Sequence, residues 1–331
     1  ARSSAPDALN WCASETPNGI SMDQRVTTDL PADAAFGFKA YEAIRHRLPA
    51  ARRQGACNRA EHLGDIADGY DMILLDAYGV LNRGIEPIAG VPERIRALQA
   101  DGKRVMVVSN AAGFAHRTLM ERYARLGYAF DAEDVITSRK TLVRQLEQEG
   151  ARHWGMIAGR HFGPDEFPPL DYRMLTDDIA DYDAAEGFLL VGASEWTPAR
   201  QALLIESLKR RPRPLYVANP DLLAPQQVGY STEPGTYAHQ IQDETGVEPV
   251  FYGKPYGNIF ALAMERLQHE TELDPGRVLM VGDTLHTDIL GGQAAGLHTA
   301  LVTRTGVLAD MDIDAAIQTS GIAPDWILDQ A

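Results

Sequence analysis

The chain contains few cysteines, no long apolar run and too few basic residues to balance its acidic ones. Cys12 and Cys57 are its two cysteines, so we expect neither a disulfide framework nor a four-cysteine zinc site, and we predict a reducing, cytoplasmic environment. No stretch approaches the roughly 20 apolar residues that cross a bilayer. The first residues also lack the basic and apolar regions of a signal peptide, so we expect no membrane association.

The charge balance limits the classes of partner. The 331 residues include 31 Lys or Arg and 46 Asp or Glu, which gives a formal net charge of −15. A protein that binds the nucleic-acid backbone needs clustered basic residues, so nucleic acid is excluded as a partner. A small anion bound together with a metal ion remains compatible with this charge.

Apolar segments rich in β-branched residues alternate with amphipathic segments after residue 70. Strands buried on both faces and separated by helices are typical of a doubly wound α/β protein with a parallel sheet. The predicted strands are Met72–Leu75, Val105–Val108, Val135–Thr137, Gly187–Val191, Leu215–Ala218, Val278–Val281 and Ala300–Val302. The predicted helices are Pro92–Ala100, Arg117–Leu126, Thr141–Gln148, Ala199–Lys209, Thr236–Thr245, Asn258–His269 and Asp288–Ala295.

Residues 1–69 differ in texture and are predicted to be an N-terminal extension. The first 35 or so residues are rich in Ser, Thr, Pro, Asp and Asn, which favours an irregular arm. Helical periodicity then predicts one helix over Ala34–Leu48 and a second, short helix over Arg59–Ala67. We expect this extension to be a helical accessory without a core of its own.

Polar residues follow the predicted strands where each strand ends or a helix begins. They are Asp76, Ser109, Asn110, Lys254, Asp283 and Asp288. Ligands of open α/β sheets bind at the carboxyl ends of the strands, so these side chains are predicted to converge. Each residue alone has an ordinary explanation, such as a turn former, a helix cap or a solvated lysine. Together they are explained by one site.

The residue types suit the chemistry of a phosphoryl group. Asp76 and Asp283 supply the hard oxygen ligands that Mg²⁺ prefers. A carboxylate also attacks phosphorus to give an aspartyl-phosphate. Ser109, Asn110 and Lys254 are suited to orienting and neutralising the oxygens of the transferred group.

This series of motifs resembles the haloacid dehalogenase (HAD) superfamily. The motifs are Asp76-x-x-Gly79-Val80-Leu81, Ser109-Asn110, Lys254 and Gly282-Asp283-x4-Asp288. The stretches at 217–221, 234–236 and 253–255 resemble the class IIA-type subgroup with a large inserted α/β cap, which includes sugar-phosphate, nucleotide and pyridoxal-phosphate phosphatases. The resemblance implies a Rossmann-like core over residues 70–137 and 251–331, with a cap domain over 138–250.

The resemblance also implies a role for each matching residue. Asp76 corresponds to the nucleophile and a Mg²⁺ ligand, with the backbone carbonyl of Tyr78, Asp283 and Asp288 in or beside the metal shell. Ser109 and Lys254 correspond to the residues that hold the phosphoryl oxygens. The substrate-binding candidates are Asn110 beside the site and, in the cap, Asn219, Asp221, Tyr230 and Glu233.

Tyr78 departs from the pattern of the superfamily's phosphatases. They usually carry there a second aspartate, which protonates the leaving group, and the string Asp-Ala-Tyr-Gly resembles instead the 2-haloacid dehalogenases. Three hypotheses follow: a phosphatase, a dehalogenase that works without metal, and a weakly active or non-catalytic protein that binds a phosphorylated ligand. The long cap and the pairing of Asp283 with Asp288 favour the phosphatase. His286 is a candidate proton relay in place of the missing aspartate.

We therefore predict Mg²⁺-dependent hydrolysis of a small phosphate monoester, a phosphorylated metabolite. Polar cap residues favour a sugar or polyol phosphate. A nucleotide would need a stacking surface, for which Trp196, Tyr230 and Tyr237 are the candidates. Caps of this type often form dimers, so the resemblance also suggests a homodimer through the cap or the N-terminal extension.

Overall fold

A computed structural model describes residues 34–159, 162–225, 230–268 and 274–331. The irregular arm predicted for the first 35 or so residues therefore lies almost entirely outside the described residues, as does Cys12. Within them, Cys57 is a free and partly buried cysteine. No helix in this part of the chain combines the length and the apolar character needed to cross a bilayer.

The described residues form ten α-helices and sixteen strands. The helices are α1 (Ala34–Ala43), α2 (Val91–Ala100), α3 (His116–Arg125), α4 (Ser138–Leu146), α5 (Ile179–Ala184), α6 (Pro198–Arg210), α7 (Pro234–Thr245), α8 (Gly257–Gln268), α9 (Leu290–Ala294) and α10 (Ile313–Ser320). The strands are β1 (Asn58–His62), β2 (Met72–Leu75), β3 (Asn82–Arg83), β4 (Glu86–Pro87), β5 (Arg104–Ser109), β6 (Val135–Thr137), β7 (His153–Ile157), β8 (Asp171–Met174), β9 (Gly187–Leu190), β10 (Leu215–Val217), β11 (Leu223–Pro225), β12 (Tyr230–Thr232), β13 (Val250–Phe251), β14 (Val278–Gly282), β15 (His298–Val302) and β16 (Trp326–Gln330).

The larger sheet has seven parallel strands in the order β1-β16-β15-β14-β2-β5-β6. Strand β2 lies inside it, with Leu74 opposite Met106 on one side and Met280 on the other. All four residues of β2 are buried, because helices cover both faces of a sheet of this type. The predicted α/β class with a parallel sheet is confirmed.

The smaller sheet has five parallel strands in the order β13-β10-β9-β7-β8. Its own apolar cluster includes Phe188 and Leu215 from the strands and Leu204 and Ile241 from α6 and α7. Each sheet thus has a separate core. The domain boundaries given above stay a prediction.

The second helix predicted for the N-terminal extension is wrong. Residues 58–62 form strand β1, and two short 3-10 turns, Leu63–Asp65 and Ala67–Gly69, follow it. Strand β1 pairs in parallel with β16 at the edge of the larger sheet. Pairing with this edge outweighs the local sequence pattern, which carries little strand propensity. The extension is therefore part of the core sheet as well as a helical accessory.

Two other predicted helices have different limits. The helix predicted over Ala34–Leu48 ends at Ala43, and the 3-10 turn Arg45–Arg47 follows it. The helix predicted to begin at Asp288 is preceded by a π-helical turn, Leu285–Ile289, and the α-helical part is α9. This turn places Asp288 inside the loop after β14.

Candidate active site

Three neighbouring strands of the larger sheet carry polar residues at their carboxyl ends. Asp76 follows β2, Asp283 follows β14, and Ser109 ends β5. The order β14-β2-β5 makes these strands adjacent and parallel, so their carboxyl ends lie side by side. The predicted convergence at this edge is what the structure shows.

Three carboxylates form a compact cluster at this edge. Asp76, Asp283 and Asp288 each offer an oxygen that lies within 4.8 Å of the others. Asp283 accepts hydrogen bonds from the Val307 N–H at 2.8 Å and the Thr284 hydroxyl at 2.9 Å. Asp288 Oδ2 accepts the N–H groups of Asp283 and Thr284, both at 3.1 Å. Backbone groups therefore fix the orientation of the cluster.

Lys254 brings a positive charge to the cluster. It is 2% exposed, and its Nζ forms ion pairs with Asp76 and, at 2.8 Å, with Asp288. Its backbone N–H donates to Asn110 Oδ1 at 2.7 Å. Burial alone would lower the pKa of Lys254, but Asp288 and Asp76 raise it above its ordinary value. The two carboxylates therefore favour the charged form of Lys254.

The carboxyl groups of the cluster compete for this one lysine. Burial raises the pKa of Asp76 above its ordinary value, and Lys254 partly opposes that rise. Burial raises the pKa of Asp283 as well, and the negative charges of Asp288 and Asp76 raise it further. Three carboxylates and one ammonium group leave excess negative charge in this part of the described chain. Such a site is suited to a divalent cation.

Gly79 and Gly306 allow the backbone to approach Asp283. Gly79 has a φ of +77°, and a Cβ there would lie 2.2 Å from Asp283 Oδ2. A Cβ on Gly306 would lie 2.1 Å from the Asp283 Cβ. The Thr305 hydroxyl donates to the Gly79 carbonyl at 2.6 Å and links the two segments. The segment 305–307 carries no motif, so sequence reasoning missed it.

Arg122 on helix α3 fixes the position of the Tyr78 side chain. Arg122 donates to the Tyr78 hydroxyl at 2.5 Å, and its guanidinium lies 4.7 Å from the centre of the Tyr78 ring. Arg122 also donates to the Gly84 carbonyl at 2.6 Å. These contacts hold the Tyr78 side chain in one position, where it forms a rigid wall of the site. No motif or spacing in the sequence indicates that Arg122 contacts Tyr78.

The cap supplies a polar loop that touches the core. Asn110 Nδ2 donates to Asp221 Oδ1 at 2.8 Å and to the Lys254 carbonyl at 2.9 Å. Glu233 accepts from Asn219 at 3.0 Å and from the Ser231 hydroxyl, and it is buried enough that its pKa is raised. Four predicted substrate-site residues, Asn110, Asn219, Asp221 and Glu233, thus form one connected group.

The aromatic residues proposed for stacking lie elsewhere. Trp196 is 2% exposed and packs in the core of the smaller sheet, where its indole N–H donates to Gln201. Tyr237 packs in the same core. Both are therefore wrong as candidates for a base-stacking surface. Tyr230 begins β12 and is partly exposed, and its role stays a prediction.

His286 faces the N-terminal helix. Its Nε2 pairs with Glu42, its ring stacks on Tyr41 at 5.2 Å, and Phe38 contacts it edge-on at 5.2 Å. Burial lowers the pKa of His286, although Glu42 opposes that effect. The proton-relay role stays a prediction, and these partners give the ring a packing role.

Helix α1 and the 3-10 turn after it also reach the cap. The Leu222 N–H donates to the Tyr41 hydroxyl at 3.2 Å, and Arg47 pairs with Asp243 of α7. A Cβ added at Gly37 would lie 3.4 Å from Leu223 Cδ1, so the backbone of α1 passes close to β11. The N-terminal extension therefore connects the loop after β14 with the cap. No local sequence pattern predicts these long-range contacts.

Comparison with known proteins agrees with this geometry. Residues 73–163 match a family model described as haloacid dehalogenase-like hydrolase, and residues 251–330 match a HAD-hydrolase-like model. Chronophin from Rattus norvegicus is 30% identical over 267 residues, which cover 75% of this chain and 81% of that protein. Glycerol-3-phosphate phosphatase from Gallus gallus is 30% identical over 291 residues, covering 78% and 89%.

Solved structures show the same architecture. A possible sugar phosphatase of the HAD superfamily from Cytophaga hutchinsonii has a TM-score of 0.72 and 26% identity, and the match covers 82% of this chain and 98% of that one. A Rossmann-like core with an inserted α/β cap and an acidic cluster at the strand ends thus defines a capped α/β hydrolase. The chain belongs to the haloacid dehalogenase-like hydrolase family.

Proposed function

We propose that this protein is a Mg²⁺-dependent phosphatase that hydrolyses a small phosphate monoester through an aspartyl-phosphate on Asp76. The observation that carries the proposal is the placement of Asp76 beside Lys254 and within 4.8 Å of Asp283 and Asp288. The name of one relative, a glycerol-3-phosphate phosphatase, and that of the solved structure, a possible sugar phosphatase, support the same reaction class.

The donor set fits a divalent metal. Asp76, Asp283 and Asp288 offer carboxylate oxygens, and hard oxygen donors are the ligands that Mg²⁺ prefers. The raised pKa of Asp283, caused by burial and by its acidic neighbours, indicates a surplus of negative charge that a cation would relieve. These three residues, with the Tyr78 carbonyl, would hold the metal. When bound, Mg²⁺ supplies charge neutralisation for the phosphoryl oxygens.

Residues of the chain carry out the nucleophilic attack, the binding of the phosphoryl group and the exclusion of water. A carboxylate oxygen of Asp76 attacks phosphorus, and water later cleaves the resulting aspartyl-phosphate. Lys254 and Ser109 hold the phosphoryl oxygens, and Asn110 fixes the backbone of Lys254. The cap loop at 219–222 covers the site and keeps bulk water away from the phosphoenzyme.

A sugar or polyol phosphate fits the cap loop best. Asn219, Asp221 and Glu233 form a hydrogen-bonded polar group, and such groups suit the hydroxyls of a sugar or polyol. The burial of Trp196 and Tyr237 removes two of the three surfaces on which a nucleotide base could stack. The names of the relatives, a glycerol-3-phosphate phosphatase and a possible sugar phosphatase, agree with this substrate class.

The dehalogenase hypothesis rests on Tyr78 alone, and the acidic cluster argues for the phosphatase. One experiment separates the hypotheses: a panel of phosphate esters and 2-haloacids assayed with Mg²⁺ and with a chelator. The proposal expects phosphate release that the chelator abolishes and that Asp76→Asn removes. Asp183→Asn, an exposed cap residue paired with Arg210, is the matched control. Chelator-resistant halide release would overturn the proposal. Binding of Mg²⁺ and phosphate without turnover would favour a phospho-ligand-binding protein.

The cytoplasmic location and the homodimer through the cap or the extension stay predictions of the sequence.

A further inference from the structure

The proposed reaction needs a proton donor that position 78 lacks. When an alkyl phosphate is cleaved, the departing oxygen must gain a proton. The Tyr78 side chain is held by Arg122, which donates to its hydroxyl and lies over its ring. His286 is paired with Glu42 and packed between Phe38 and Tyr41. The donor must come from another group at the site.

Asp221 is a cap carboxyl that accepts a hydrogen bond from Asn110, a core residue beside the catalytic lysine. Asn110 Nδ2 donates to Asp221 Oδ1 at 2.8 Å, while Asn110 Oδ1 accepts the Lys254 N–H at 2.7 Å. One amide therefore connects the cap carboxyl with the lysine that pairs with Asp76. Glu233, the other carboxyl of this loop region, instead accepts from Ser231 and Asn219 inside the cap.

The backbone around Asp221 is fixed by three hydrogen bonds. The Asp221 N–H donates to Asn219 Oδ1 at 3.0 Å, and the Asp221 carbonyl accepts the Gly235 N–H at 3.1 Å. The next residue, Leu222, donates its N–H to the Tyr41 hydroxyl at 3.2 Å. The carboxyl is therefore held in place before substrate arrives, as a general acid requires.

We propose that Asp221 is the general acid and base of the reaction, replacing the aspartate that Tyr78 displaces; this role rests on the proposed phosphatase function. As Asp76 attacks phosphorus, the bond from phosphorus to the ester oxygen breaks and its electron pair stays on that oxygen. The Asp221 carboxyl gives this oxygen its proton and becomes a carboxylate.

The second step returns the proton. The Asp221 carboxylate takes a proton from water as the water oxygen attacks phosphorus. The bond between phosphorus and Asp76 breaks, Asp76 returns to a carboxylate, and inorganic phosphate leaves. Asp221 ends the cycle protonated, so no further proton donor is needed.

The charges around Asp221 suit both roles. Burial raises its pKa to about 7, Asn110 and Lys254 lower it, and Asp76 and Glu233 raise it. Tyr41, whose own pKa is raised by burial and by Asp221, faces it from α1. A carboxyl in this range is populated in both forms at neutral pH, which efficient proton transfer in two directions requires.

The test compares two leaving groups in Asp221→Asn. Asparagine keeps an oxygen for Asn110 but cannot titrate. Glycerol phosphate releases an alkoxide that needs a proton, while 4-nitrophenyl phosphate releases a phenolate that does not. We expect kcat/KM to fall by about 10²–10⁴-fold for glycerol phosphate and by less than about tenfold for 4-nitrophenyl phosphate. Nitrophenol should then appear in a burst, because hydrolysis of the phosphoenzyme has lost its base.

A second measurement uses the unaltered protein. For glycerol phosphate, kcat/KM should fall as pH rises through the pKa of Asp221, because the acid form is consumed, and 4-nitrophenyl phosphate should lack this fall. Asp183→Asn is the control and should leave both esters unaffected. Equal losses for both esters in Asp221→Asn, or no loss for glycerol phosphate, would overturn the role of Asp221. A wild-type protein inactive on both esters would instead overturn the phosphatase function itself.

Discussion

The hydroxyl of Tyr41 in the N-terminal helix accepts the backbone N–H of Leu222 in the cap loop, at a distance of 3.2 Å. The same ring stacks on His286, which belongs to the loop that carries Asp288. Tyr41 therefore connects the cap loop with the acidic cluster through one side chain. Residues of this helix make four contacts with the cap loop and the loop after β14, so the extension shapes the site although it precedes every motif.

Removing the Tyr41 hydroxyl should weaken substrate binding. Tyr41→Phe leaves the Leu222 N–H buried without its partner, which costs roughly 1–3 kcal/mol. We expect KM for the phosphate ester to rise by about tenfold with a smaller change in kcat. Tyr182→Phe is the matched control, since the Tyr182 hydroxyl donates to the Thr176 carbonyl inside the cap. Equal KM values for both variants would contradict the connection.

Gly79 should be essential for the geometry of Asp283. Gly79→Ala introduces a Cβ 2.2 Å from Asp283 Oδ2, whereas Gly90→Ala, at nearly the same φ of +81°, meets nothing within 4 Å. Both variants carry the strain of a left-handed residue, about 1–2 kcal/mol. We expect Gly79→Ala alone to lose activity and the rise in Tm that Mg²⁺ produces. If Gly90→Ala loses them equally, backbone strain and not the contact is responsible.

Lys254 should control both activity and stability. Lys254→Met leaves buried carboxylates without their cation, a change that costs roughly 3–5 kcal/mol in buried pairs. We expect loss of phosphatase activity and a lower Tm, and we expect Mg²⁺ to reverse part of the decrease in Tm. Lys209→Met removes an exposed pair with Glu244 and should change neither. A Tm of Lys254→Met that equals the wild-type value would count against the charge argument.

The cap should lose stability in mild acid through His239. Burial, with Arg47 nearby, lowers the pKa of His239 from 6.5 to about 4. Below pH 6.5 the unfolded chain therefore binds a proton at His239, whereas the folded chain does not. The free energy of unfolding thus falls as the pH falls. The loss is about 1–2 kcal/mol between pH 6.5 and pH 5. His239→Gln should flatten the pH dependence of Tm over this range, and an unchanged slope would refute the assignment.

The sequence predicts the centre of the fold well because its signals there are local. Strands β2, β5 and β14 are short apolar runs, and the residues after them fall at one sheet edge by topology alone. Strand β1 escapes prediction because its sequence, NRAEH, is polar, and only pairing with β16 makes it a strand.

The candidate site is likewise predictable only where its residues belong to local motifs. Asp76, Asp283 and Lys254 stand at strand ends or helix starts within motifs. Tyr41, Arg122 and Gly306 act through contacts with residues far away in the chain, 181 positions for Tyr41 and Leu222. Periodicity and spacing do not encode such contacts, so the partner of Tyr78 and the role of the N-terminal helix required the structure.

If Asp76 is the nucleophile, a phosphoenzyme forms on its side chain and can be trapped. The enzyme is mixed with substrate and Mg²⁺, quenched in acid within the first turnovers, digested and examined by mass spectrometry. We predict a phosphoryl group on the peptide that contains Asp76, its loss after a chase before the quench, and none in Asp76→Asn. Phosphate release by the wild-type protein without phosphorylation of that peptide, or by Asp76→Asn at an undiminished rate, would contradict the account.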